Sequence, residues 1–158
     1  MPISDSDIRW MRLALEEAVN AAHGGEAPVG AVVARGEELL ARAHDERQRR
    51  ADPTAHAEIL ALRAAGERLG DWRLEGCDLF VTLEPCPMCA GAAVMARVRR
   101  LVYGAANRKA GAVETHCRTL DISTFNHRVE VVSGVEAEAA SALLTAFFAQ
   151  LRQKREGS

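Results

Sequence analysis

Apolar positions return along this chain at two different periods. Ile8, Met11, Leu15, Ala18, Val19 and Ala22 recur every three or four residues behind a run of Ser and Asp able to cap, which predicts an amphipathic helix. "PVGAVVARGEELLARA" then reads as two short strands folded about Gly36. Helical spacing resumes over 54–69, with Ile59, Leu62 and Leu69 inward and Asp52-Pro53-Thr54 as its start signal. "DLFVT" predicts a buried strand, 88–97 a short helix, "RLVYG" and "RVEVV" two more strands, and 136–155 a closing amphipathic helix with a basic end. Strands alternating with helices predict an α/β class, a central sheet covered by helices. With no repeat, low-complexity run or Pro/Gly/Ser linker, 1–158 reads as a single domain.

Composition adjusts this picture in two places. Aromatic content is 4% and alanine is abundant, which suits closely packed helices, and 158 residues suffice to bury a core without disulfides. No apolar run approaches the ~20 residues of a membrane span, and "MPISDSDIRW" has acids where an export signal needs basic and apolar residues. A cytoplasmic protein without membrane contact is the expectation. The formal net charge of −2 gives no global attraction to nucleic acid, so such a partner would rely on a local patch. "RQRR", "ARVRR", "NRKA" and "LRQKR" are candidates, each equally what a solvated helix end looks like.

The chemistry concentrates between His56 and Cys89. In a reducing compartment four cysteines read as metal ligands or buried small side chains, and Cys86 and Cys89 stand apart by their spacing. His56 and Glu58 lie in or beside the first turn of one predicted helix, and Cys86 and Cys89 open another after a strand. Strand ends and helix N-termini of neighbouring βα units share one sheet edge, so these residues are able to meet. One imidazole and two thiolates leave zinc's fourth position to water, the pattern of a catalytic site. Cys77, His116 or Cys117 would instead close the site as a structural one, and a capping His beside inert cysteines is the third reading. Two thiolates cancel the charge of zinc and a neutral imidazole adds none, so a bound water would be more readily ionised than at a three-thiolate site. Glu58 lies about 200° from His56 around a regular helix, so it would reach that water from beside the metal as a proton carrier rather than as a ligand.

"HAE" followed by "PCPMC" resembles the signature of the zinc-dependent cytidine/adenosine deaminase superfamily. "PVGAVV", "DPTAHAEI", "VTLEPCPMCAGA", "VYGAANRKAGA", "NHRVEV" and the late "LLTAFFAQLR" are similar to the bacterial tRNA-specific adenosine-34 deaminases, over nearly the whole chain. The resemblance implies a three-layer α/β/α cytidine deaminase-like fold with a mixed five-stranded sheet. It implies one Zn²⁺ per subunit on His56, Cys86 and Cys89, with Glu58 as general acid/base. Val29, Asp45, Ala55, Glu84, Pro85, Asn107 and Phe148 would contact the substrate. Arg108, Lys109, Arg152, Lys154 and Arg155 would contact the RNA backbone.

The reaction so implied is hydrolysis of adenosine to inosine at the wobble position, with the base splayed from the anticodon loop into the pocket. A homodimer would bind that loop across both subunits, with the helix opened by Met88 at the contact. A zinc deaminase of a free base or nucleoside (guanine, cytosine or adenosine) is the alternative, and a non-catalytic zinc-stabilised binding module the second.

Two positions depart from the family's usual pattern. Asp45, in "HDER", stands where a "WNRP"-like turn carries an Asn, and a carboxylate accepts but does not donate unless protonated. Asn107 stands where an Asp usually follows "YGA", removing a negative charge near the expected RNA path. Phe147 and Phe148 are adjacent on the last helix, so one of them is expected to be an exposed surface for base stacking or to lie under a loop or subunit.

Overall fold

The computed structural model describes residues 2–157. Helix α1 (Asp5–His23) starts at a capping box: the Ser4 hydroxyl accepts from the Asp7 N–H at 3.1 Å and the Asp7 carboxylate accepts from the Ser4 N–H at 3.2 Å. Its buried face is Trp10, Met11, Ala14, Ala18 and Ala21, whereas Ile8, Leu15, Val19 and Ala22 are only half-buried. The predicted stripe is therefore displaced by about one position. The cause is the close approach of the sheet. A Cβ on Gly30 would lie 1.9 Å from the Ala14 carbonyl oxygen, so the seam admits alanines and pushes larger side chains to its flanks.

Strands β1 (Gly30–Arg35) and β2 (Glu38–His44) form the expected hairpin, with an irregularity between Val33 and Ala34. A short helix α2 (Arg47–Arg50), not predicted, follows it. Helix α3 (Ala57–Leu69) begins three residues later than its start signal suggested. Asp52 Oδ1 accepts from the Thr54 N–H at 2.8 Å and from its hydroxyl at 2.7 Å, so the Asp-Pro-Thr sequence closes a turn before the helix rather than capping it. Then come β3 (Asp78–Leu83), α4 (Pro87–Met95), β4 (Arg100–Ala105), a 3₁₀ turn (Thr119–Asp121), β5 (Glu130–Val132) and α5 (Ala137–Glu156).

The strand order is β2-β1-β3-β4-β5; β1 is antiparallel to both neighbours, and β3, β4 and β5 run parallel. Alternate residues divide the core between the two faces. Ala31, Val33, Leu79, Val81 and Leu101 pack with α3 and α4, while Val32, Ala34, Phe80, Val102 and Val132 pack with Trp10, Met11 and Ala14 of α1. With α5 against β4 on the α1 side, the result is a three-layer α/β/α arrangement around a mixed five-stranded sheet, as the resemblance implied. Among the described residues, no helix is long and apolar enough to cross a membrane.

At the start of the parallel strands, Arg100 Nη2 bridges Asp7 Oδ1 and Asp78 Oδ2, each at 2.8 Å, and Arg99 also pairs with Asp78 at 2.6 Å. Two of the arginines of "ARVRR" are thus consumed in ion pairs, Arg100 tying α1 to the sheet and Arg99 binding β3 alone, at the end away from the strand termini that lead to the cysteines. Burial alone would push the Asp7 carboxyl up, but hydrogen bonds from Arg100 and Ser4 outweigh it and hold the group below its ordinary 3.8. We expect Arg100→Met to destabilise the fold by roughly 3–5 kcal/mol, because Asp7 is left buried without its counter-ion; urea unfolding measures this. In the parent protein the Asp7 contribution is complete above pH 3.8 and lost as pH falls through the lower folded value, a loss absent from the variant's acid profile.

Candidate active site

Two helix starts deliver three metal-ligating atoms to one point. His56 is the N-cap of α3, with extended backbone (φ −72°, ψ 152°), and Cys86 is the N-cap of α4 (φ −74°, ψ 174°), with Pro87 tolerated in the first turn and Cys89 two residues after it. His56 Nδ1 lies 3.6 Å from Cys86 Sγ and 3.4 Å from Cys89 Sγ, and all three atoms fall within 4.8 Å of one another. Zinc–nitrogen and zinc–sulfur bonds of about 2.0–2.3 Å at tetrahedral angles put such atoms roughly 3.5–3.8 Å apart, so the donor set fits a tetrahedral dication.

Cys86 is held down to about 4 by hydrogen bonds from Cys89 and His56, against burial, while Cys89 is pushed up by its bond to Cys86 and by burial. Binding of a cation by both sulfurs as thiolates would release their protons. Among the described residues no further His, Cys, Asp or Glu joins the group. The Cys77 thiol donates to the Glu75 carbonyl, the His116 ring bonds the Arg108 carbonyl, and Cys117 contacts the Thr119 hydroxyl.

Glu58, in the first turn of α3, is 4% exposed and its carboxyl is in hydrogen-bonding contact with Cys89. Because His56 precedes the helix, the 200° separation of a regular helix does not apply, and the two side chains meet at one corner. Burial pushes Glu58 up to about 7, only partly offset by its own backbone N–H and by His56. The site therefore pairs three potential metal donors with a carboxyl able to take and return a proton near neutral pH.

His56, Glu58 and Cys86 open into a cleft of about 1300 Å³. Of the residues expected at the substrate, Val29, Asp45, Glu84, Asn107 and Phe148 line it, and of the expected backbone contacts Arg108, Lys109, Arg152 and Arg155 do. Ala55, Pro85 and Lys154 do not. Ala55 and Pro85 are buried, with carbonyls taken by the N–H groups of Glu46 and Ala112, and Lys154 is exposed on α5 outside the lining. Phe148 is 42% exposed, and half-buried Phe147 also lines the cleft at 5.5 Å between ring centres.

Comparison with known proteins bears on this geometry directly. A family model described as MafB19-like deaminase matches residues 5–152. A tRNA-specific adenosine deaminase of Bacillus subtilis is 47% identical over 96% of this chain and 94% of its own length. The chain belongs to the family of tRNA-specific adenosine deaminases. A structure from a study of A-to-I editing by tRNA:A34 deaminases superposes with TM-score 0.83 at 45% identity, over 86% of this chain and 99% of that one. Guanine deaminase from Nitrosomonas europaea shares the fold at TM-score 0.76 and 27% identity, over 90% and 84% of the two chains.

Several residues of this deaminase do other work than the pattern of motifs suggested. The Glu84 carboxylate, 1% exposed, accepts from the N–H groups of Asn107, Val113, Glu114 and Thr115 at 2.8–3.1 Å and from the Thr115 hydroxyl. Burial would raise its pKa, but these donors bring it down to about 2. Its charge is spent on folding the loop after β4, so it organises the wall of the cleft. The Asn107 amide does likewise: Oδ1 accepts from the N–H groups of Lys109 and Ala110, and Nδ2 donates to the Glu84 carbonyl. Asp45 is paired with Arg47, and Glu26, 4% exposed, accepts from the Gln48 and Arg49 N–H groups. Glu26 also lines the cleft and was not singled out from sequence, whereas Arg47 entered only within the candidate patch "RQRR" and Phe147 only beside Phe148 as a candidate stacking surface.

A Cβ on Gly111 would stand 2.5 Å from Glu84 Oε1 and 2.6 Å from the Asn107 carbonyl oxygen. Gly111→Ala should therefore destabilise by about 1–3 kcal/mol through overpacking, seen as a lower midpoint in thermal unfolding. Hydrogen exchange should localise the effect to residues 106–115.

Proposed function

We propose that this protein hydrolytically deaminates adenosine to inosine at wobble position 34 of a tRNA anticodon, as a single deaminase domain over residues 1–158. The observation that carries the reading is the tetrahedrally spaced His56–Cys86–Cys89 group beside the enclosed Glu58 carboxyl, at the floor of a cleft too wide for one base. At about 1300 Å³ the cleft exceeds the roughly 300–1,000 Å³ of small-molecule pockets. Arginines and a lysine line its walls and Phe148 offers a stacking face, which suits a strand with one base turned inward.

His56, Cys86 and Cys89 would hold one Zn²⁺. When bound, zinc supplies the Lewis acidity that brings water close to ionisation at neutral pH. Glu58 would take one proton from the attacking water as its oxygen adds to C6 of adenine and deliver it to N1; the second, left on the C6 hydroxyl, would pass by way of Glu58 to the amino group, which leaves as ammonia while C6 becomes the carbonyl carbon of inosine. The enclosed corner excludes bulk water, so the proton stays with the carboxyl and the base. We place the protein in the cytoplasm and infer a homodimer. Between α3 and α4 runs an apolar groove of about 690 Å³ with Trp72 58% and Met95 55% exposed, a face suited to a second copy.

Glu58→Ala should retain about one zinc per chain by elemental analysis and lose deamination by roughly 10²–10⁴-fold, whereas Cys86→Ala should lose the metal as well. An anticodon stem-loop with adenosine at the wobble position should be converted to inosine faster than free adenosine, cytidine or guanine. Reaction with guanine alone would replace this reading by the free-base one.

A further inference from the structure

We propose that Arg47 is a substrate-binding residue that holds a phosphate of the anticodon strand next to the reacting adenosine, with Asp45 serving to aim it. The inference rests on the tRNA reading above and adds a contact to it. Asp45 is 4% exposed, and its carboxylate accepts three times from one residue: from the Arg47 N–H at 2.9 Å and from Arg47 Nε at 3.1 and 3.0 Å. An acid so engaged has its charge neutralised and little capacity left for a base or ribose. Among the described residues nothing accepts from the two terminal nitrogens of Arg47, whose side chain is 46% exposed and lines the same cleft as His56 and Glu58. The donor that an Asn side chain would have supplied at position 45 is therefore replaced by the end of a guanidinium.

The turn that carries Arg47 is pinned on both sides. Glu26 accepts from the N–H groups of Gln48 and Arg49, and the Glu46 N–H donates to the Ala55 carbonyl, one residue before His56. Of the arginines in "RQRR", Arg49 and Arg50 are paired with Glu46 and stay out of the cleft lining, so Arg47 alone faces the substrate space. The chemistry it offers is specific. A guanidinium presents N–H donors in a planar fork and no acceptor, which matches the acceptor-only oxygens of a phosphodiester better than the mixed edge of a base. Arg108 and Lys109 line the same cleft, so a strand lying in it has cations from two separate loops available to its phosphates.

The test is binding of a fluorescent anticodon stem-loop with wobble adenosine to the zinc-loaded full-length protein, by anisotropy across a salt series. Arg47→Ala should weaken binding about tenfold and reduce the slope of log affinity against log salt by about one, the mark of one lost phosphate contact. Arg47→Gln, whose amide can still reach Asp45, should show the same loss with an unchanged melting temperature. The double variant Asp45→Ala/Arg47→Ala should remain as weak as Arg47→Ala. Recovery of parental affinity in the double variant would mean that Arg47 only neutralises Asp45, and would overturn the proposal. So would parental affinity and slope in Arg47→Ala while the parent binds the stem-loop. Failure of the parent itself to bind would overturn the tRNA reading together with this one.

Discussion

Three donor atoms have to meet although the chain carries them 30 and 33 residues apart, and the remainder of the architecture serves that convergence. Cys86 and Cys89 come directly off the end of β3, where α4 starts. His56 arrives from the other side, on a turn that leads into α3 as that helix packs across β1 and β2. Neither segment could shift by a residue without opening the group. A register slip in β3 would exchange its buried faces, moving Leu79 and Val81 to the side now held by Phe80. Hydrophobic alternation in the sheet is therefore what sets the positions of the sulfurs. The closeness of α1 to Gly30 and the Arg100 bridge hold the opposite end of the same strands.

The electrostatics of the cleft follow from which acids are already occupied. A formal charge of −2 suggests no affinity for a polyanion, yet the acids around the cleft are turned inward. Glu84 is spent on the loop after β4, Glu26 on α2, and Asp45 on Arg47, while Glu58 is enclosed beside the thiols. The cations of the same region line open space instead. A local field of this kind acts within about 8–10 Å at physiological salt, so it governs what enters the cleft even though the whole molecule is weakly acidic. Using a carboxylate to fold a loop that lines the cleft also makes that wall rigid, because each main-chain N–H bound to Glu84 would otherwise be a buried donor without a partner.

Much of the fold was legible because its signals are local. Periodicity placed the strands within a residue or two and gave α1, α3, α4 and α5 in order, since both periods survive in short windows. The errors arose where a neighbour in space decided. The face of α1 turned by about one position because Gly30 of β1 demands a near-contact. The Asp-Pro-Thr signal capped a turn rather than α3, because the same side-chain bonds serve either structure. Arg99 and Arg100, read as part of a basic patch, are fixed by Asp7 and Asp78, which lie far from them along the chain.

By itself the sequence singled out His56, Glu58, Cys86 and Cys89, because their spacing relative to helix starts is a local signal, and the structure brings the imidazole and the two sulfurs together. It also determined the layer order, which follows from the alternation of strands and helices. Tertiary structure alone decided what the polar residues around them do. Whether Glu84, Asp45 or Arg47 faces substrate depends on which N–H groups and charges come within about 3 Å, and those partners are brought there by the packing of separate elements rather than by anything adjacent in the chain.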